Sequence, residues 1–234
     1  MKKSSSAAFT LIEMMTVIAV IVILTGMVLS ISGYATRKGA LARATGEIEM
    51  LTTACESYKS DNGNYPREIL DSGSGVTDLL SPKQHFSPVS PIYTNASLFL
   101  YKQLSGDKLG QGGSSLPDGI TDENETRYFK DVAIEKMLST KKNATTKAII
   151  QVNYIQDPFG FSYGYSTVAA KLEEDFQKQL KLGSANAKRK TDTAQLGFNA
   201  GSFDLWSTAG DNTTASLGSE TSMGLKWAKW VKNW

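Results

Sequence analysis

From Met14 to Ile31 the chain is apolar, broken only by Thr16, Thr25, Gly26 and Ser30, and no charged residue occurs between Glu13 and Arg37. At about 1.5 Å rise per residue this charge-free run reaches roughly 35 Å as a helix, against a hydrocarbon core of about 30 Å. Lys2 and Lys3 precede it, so the positive-inside rule puts the N-terminus in the cytoplasm and the bulk of the chain outside. Beyond Gly33 the pattern changes: Tyr34, Leu41, Ile48 and Cys55 recur at sevens, with Ala44, Leu51 and Tyr58 between them. No proline occurs before Pro66. One continuous helix is therefore predicted from Phe9 to roughly Ser60, apolar all round over 9–33 and amphipathic over 34–61.

The helix should end where Asn62 and Gly63 suit a left-handed cap and Pro66 cannot continue it. Residues Ser72 to Gly119 are rich in Ser, Gly, Pro and Asp and read as loops, with one helix-like interruption at Ala96 to Leu104. A short helix is expected over Arg127 to Leu138 and a strand over Lys147 to Ile155. Asp157-Pro158-Phe159-Gly160 reads as a turn, followed by the alternating aromatics Phe161, Tyr163 and Tyr165 of a half-buried strand. Val168, Leu172, Phe176 and Leu180, spaced by four, mark an amphipathic helix. Lys178 to Lys190 is basic and reads as a solvated face. Trp227, Trp230 and Trp234 are expected to dock onto the domain, since exposed tryptophan clusters are uncommon.

The 234 residues are 41% hydrophobic and 21% charged, which suits one globular domain with an appendage. The net charge of +2 gives no reason to expect a nucleic-acid partner. Cys55 is the only cysteine and His85 the only histidine, so a disulfide framework is excluded and Cys/His zinc sites and histidine triads are poorly served. His85 lies between Pro82 and Pro88 and reads as a surface residue. The chain shows no nucleophile motif, metal cluster or phosphate loop, which weighs against an envelope enzyme.

Three readings of the apolar run compete. A secretory signal would be cut at the small residues Ser30-Ile31-Ser32, but the run is long for one, and the cluster Ser4-Ser5-Ser6-Ala7-Ala8 precedes it instead of following. A simple membrane anchor has no need of Glu13 at its edge, although snorkelling would accommodate it. The third follows from Ala7-Ala8-Phe9-Thr10-Leu11-Ile12-Glu13-Met14-Met15, which resembles the N-terminal signature of type IV pilins and type II secretion pseudopilins. Ala8 stands where that family usually has glycine. The resemblance implies a leader over residues 1–8, cleavage between Ala8 and Phe9 by a prepilin peptidase, N-methylation of Phe9, and Glu13 as the acidic fifth mature residue. It also implies an α+β pilin fold: a long N-terminal helix packed on a small antiparallel sheet domain, here residues 62–234.

Further along, Tyr58 to Pro66, then Asp157-Pro158-Phe159-Gly160 with Tyr163 and Tyr165, then Gly201 to Asp211 resemble, in order, the helix exit, hairpin and closing strand of the major pseudopilins. Insertions near 70–145 and 166–200 depart from that compact pattern. By the same resemblance the loop after Trp206 would hold calcium, through the backbone carbonyls of Leu205 and Ser207 and the carboxylate of Asp211, the start of the six to eight oxygens needed. The family's further aspartate near the C-terminus is missing: Lys226 and Lys229 stand there, and Glu220 is the only acid after Asp211. An ordinary polar hairpin loop is the alternative.

A carboxylate near hydrocarbon costs several kcal/mol unless paired, and the Phe9 amine released by cleavage is a suitable cation. Within one helix that pair requires fraying of the first turn; a neighbouring subunit's amine reaches Glu13 without it. These features together imply a structural subunit of a type II secretion pseudopilus or type IV pilus. It would be made as a single-pass inner-membrane precursor with its domain outside the cytoplasm, and assembled by inner-membrane machinery into a homo-oligomeric filament in the periplasm or on the cell surface. A membrane-anchored or secreted adhesin or carbohydrate-binding protein is the alternative.

Overall fold

The structure is a computed structural model that describes residues 10–68, 75–110, 114–129, 134–183, 197–212 and 227–234. The chain divides into two units, residues up to Ala42 and residues from Arg43 onward. Helix α1, Leu11–Asn62, contributes its 52 residues to both. In the first unit the apolar side chains Leu11, Ile12, Val17, Ile21 and Leu24 are all exposed. α1 is long and apolar enough to cross a membrane. In the second unit the predicted stripe turns inward: Ala44, Ile48, Leu51, Ala54 and Cys55 are buried. α1 stops at Asn62, and Gly63 adopts φ +78° while its N–H donates to the Lys59 carbonyl at 2.8 Å. That left-handed conformation is the one glycine tolerates without penalty.

α2 is a single turn, Val76–Leu79, and α3 runs Pro91–Ser105. The region 72–119 is thus less loop-like than its composition implied. α3 begins five residues before Ala96 because Pro91 occupies its first position, where the missing N–H costs nothing. It ends at Gly106, φ +68°. Its inner face carries Tyr93, Ala96, Ser97, Leu100, Tyr101 and Leu104, all buried at helical spacing. In the described part of the helix expected over 127–138, Ile134 is helical and Glu135–Met137 form a 3-10 turn, and Leu138 already begins a strand. Residues 130–133 of that expectation lie outside the described residues.

Among the described residues the strands of the expected antiparallel sheet domain form two small sheets. β1 (Leu138–Lys142) pairs with β2 (Ile149–Ile155), placing Leu138 opposite Ile155 and Lys142 opposite Ile149. β2 starts two residues later than the pattern implied, because Lys147 takes φ +59° in the connecting turn, where Asn143 Oδ1 accepts the Thr145 and Thr146 N–H groups. In the second sheet β4 (Asp204–Ser207) lies between β3 (Gly164–Ser166) and β5 (Val231–Lys232). Gly164 sits opposite Trp206, and a Cβ there would approach the indole Cε2 to 2.2 Å. Glycine is required for that close approach. The amphipathic helix α4, Val168–Lys181, follows β3. The architecture is α+β: a long N-terminal helix, then helices and small antiparallel sheets.

The main core joins Ile48, Leu51 and Cys55 of α1 to Leu100 and Leu104 of α3, Val152 and Ile155 of β2, and Tyr163, Tyr165, Phe203 and Leu205. A second core gathers Leu80, Phe86, Tyr93, Ala96, Trp206 and Trp230. Trp230 is 5% exposed and stacks on Trp206 with ring centroids 6.1 Å apart, while Trp234 stacks on Phe198 at 4.5 Å. The C-terminal tryptophans are thus folded against the domain. His85 is half-buried, contrary to its reading as a surface residue: its Nδ1 accepts the Ser81 N–H at 3.1 Å, and burial holds its pKa below the ordinary value.

Candidate functional site

The first turn of α1 is closed by its own side chains. Glu13 Oε2 accepts from the Thr10 N–H at 2.8 Å and from the Thr10 hydroxyl at 2.7 Å, while the Glu13 N–H donates to Thr10 Oγ1 at 3.3 Å. This reciprocal arrangement is a capping box, with Thr10 immediately before the helix and Glu13 at its third position. Among the described residues these bonds to the carboxylate all fall on Oε2, which leaves Oε1 as the oxygen for a further cation. Thr10 went unremarked in the sequence reading, although Thr10-Leu11-Ile12-Glu13 before an apolar run is the pattern that announces such a cap. Ala8 and Phe9 lie outside the described residues.

The three sequence blocks of the domain are joined by direct contacts. The Tyr165 hydroxyl donates to the Pro66 carbonyl at 2.8 Å, and the Tyr65 ring meets Phe203 edge-on at 4.9 Å. Asp157 holds the hairpin to the closing strand: its Oδ1 accepts the N–H groups of Phe159 (3.0 Å) and Phe161 (2.8 Å), and its Oδ2 accepts the Ser207 hydroxyl at 2.5 Å. The Tyr163 hydroxyl donates to Glu47 Oε2 at 2.7 Å, fastening α1 to the hairpin. Burial raises the pKa of both Glu47 and Asp157, only partly offset by these hydrogen bonds.

Of the residues expected to hold calcium, Leu205 and Ser207 lie in β4 and Asp211 in the loop beyond it. The Leu205 carbonyl accepts the Asn233 N–H at 3.1 Å, and the Ser207 hydroxyl, as distinct from the carbonyl expected to be a ligand, donates to Asp157. Thr208 Oγ1 is buried without a hydrogen-bond partner. Among the described residues no three His, Cys, Asp or Glu side chains gather as a metal-holding group. These donors fit a loop held by protein hydrogen bonds better than an oxygen-rich ion shell. Glu220 lies outside the described residues.

Cys55 is fully buried, and burial raises its thiol pKa, which makes it an inert core residue.

Residues 3–29 match the prokaryotic N-terminal methylation motif, the signature of type IV pilins and pseudopilins. No curated protein and no solved structure matches the chain. The motif and the apolar helix behind it support a pilin-like or pseudopilin subunit, made as a membrane-anchored precursor. In general terms the motif implies processing by a prepilin peptidase and assembly into a filament.

Proposed function

We propose that this chain is a structural subunit of a type II secretion pseudopilus or type IV pilus. The observation that carries the reading is the methylation motif at 3–29 running straight into a helix whose first seventeen residues expose their apolar side chains. Cleavage between Ala8 and Phe9 would leave a methylated Phe9 amine close to Glu13, with the domain outside the cytoplasm. During assembly the helix exchanges lipid for like helices, and apolar contacts are nearly as favourable at one axial offset as at another. Pairing of Glu13 with the Phe9 amine of a neighbour selects one offset, because misregister leaves both ions unpaired at a cost of about 3 to 5 kcal/mol. The role is mechanical, and the chain itself carries no catalytic constellation in this reading.

Electron microscopy of filaments sheared from cells making Glu13→Val tests it. Normal amounts of processed membrane protein with few filaments are expected. Filaments at wild-type yield would show that helix packing sets its own register.

A further inference from the structure

We propose that the cleft at the exit of α1 binds a carboxylated sugar residue. The cleft encloses about 360 Å³ and is walled by Lys59 and Asn62 of α1, Asn64, Tyr65 and Arg67 of the segment that follows, and Glu174 of α4. That volume is at the small end of the roughly 300–1,000 Å³ usual for small-molecule sites.

Arg67 is held from behind. Its Nε lies 2.9 Å from both oxygens of Asp78, whose side chain is fully buried and also accepts the Thr167 hydroxyl at 2.9 Å. One Nη1 hydrogen goes to Glu174. The Arg67 side chain is 13% exposed, and among the described residues its hydrogen bonds run through Nε and Nη1. An arginine fixed by two carboxylates through Nε and Nη1, with no described partner on Nη2, is preorganised for a planar anion. Lys59 adds a second cation, its Nζ 4.2 Å from the Tyr65 ring centre. Among the described residues Glu174 is the only acid lining the cleft, and it is shared with Lys178 at 2.5 Å. The lining therefore carries surplus positive charge, which fits a carboxylate.

The remaining groups suit hydroxyls. Asn64 is exposed and has no side-chain hydrogen bond among the described residues, so it offers both an acceptor and donors. Asn62 spends its amide hydrogens on the Tyr58 carbonyl and the Tyr128 hydroxyl, leaving its Oδ1 as an acceptor. Glu174 is a further acceptor. Alternating donors and acceptors around an anion-binding corner match a uronic acid better than an apolar acid. This goes beyond the filament role and is independent of assembly.

Calorimetric titration of the full chain in detergent micelles with glucuronate, glucose and acetate tests the site. Saturable glucuronate binding is expected, with glucose and acetate each at least about tenfold weaker. Asn64→Asp, at an exposed position, is expected to weaken glucuronate at least about tenfold by charge repulsion while leaving the melting temperature unchanged. Absence of saturable glucuronate binding, equal binding of glucose or acetate, or an undiminished response in Asn64→Asp would overturn the proposal. Filament yield plays no part in this readout, so its failure and that of the filament reading are separate results.

Discussion

Thr10 and Glu13 satisfy one another across the first turn of α1, the threonine hydroxyl 2.7 Å from the carboxylate oxygen that also receives the Thr10 N–H. The same carboxylate is the group expected to select filament register, so Glu13 carries two roles that substitutions can separate. Glu13→Gln keeps a capping oxygen and loses the charge; it should assemble nearly as poorly as Glu13→Val. Thr10→Ala loses one cap partner, at about 0.5–2 kcal/mol, a small fraction of what holds a long membrane helix. It should assemble at close to wild-type yield. Counting filaments from both variants distinguishes charge from capping: equal loss in Thr10→Ala would assign the effect of Glu13 to the cap.

The bond between Tyr163 and Glu47 should matter to the stability of the domain. Tyr163 is fully buried, and Glu47→Ala leaves its hydroxyl without an acceptor, which costs about 1–3 kcal/mol. A lowered melting temperature is expected, most of it recovered in Glu47→Gln, which keeps an acceptor. No difference between the two variants would remove the bond from the account.

Glu47 and Asp157 also predict a pH dependence. Burial raises both folded pKa values above the unfolded carboxyl range near 4. The folded state therefore holds these protons more tightly than the unfolded one. Their contribution is greatest below the unfolded values and is lost as pH rises through the raised ones. His85, with its pKa lowered, works in the opposite sense and is common to every variant compared. The double variant Glu47→Gln, Asp157→Asn should thus gain less in melting temperature than wild type on going from neutral pH toward about pH 4.5. Parallel curves would contradict this.

Gly164→Ala should be strongly destabilising, because its Cβ would approach Trp206 Cε2 to 2.2 Å and the indole is clamped between Tyr93 and Trp230. Overpacking of this kind costs about 1–3 kcal/mol or more. Denaturant unfolding at wild-type midpoint would show that the strand yields.

Calcium is expected to leave the melting temperature of the full chain in detergent unchanged, since the Leu205 carbonyl already accepts the Asn233 N–H and no cluster of three acidic side chains forms among the described residues. A rise with calcium that chelator reverses would place an ion in that loop.

The long helix was legible because a charge-free run and a seven-residue stripe are both local signals; its end at Asn62 followed from Asn-Gly and a nearby proline. The turn at Asp157 and the helix from Val168 were legible for the same reason. The split into two sheets was not, because β3 and β5 span only three and two residues and exist through their pairing with β4. His85 was misplaced because its loop folds back on itself through Ser81, and the Tyr93 hydroxyl donates to its carbonyl from α3. The clamp on Arg67 joins residues 11 and 107 positions away in sequence, which no local pattern encodes.

The central claim is that the apolar helix stays attached while a short leader is removed. Mass spectrometry of the N-terminal peptide from membranes tests it most directly. The account predicts a chain that begins at Phe9 and carries one added methyl group. A chain beginning at Gly33, with the apolar run gone, would contradict it.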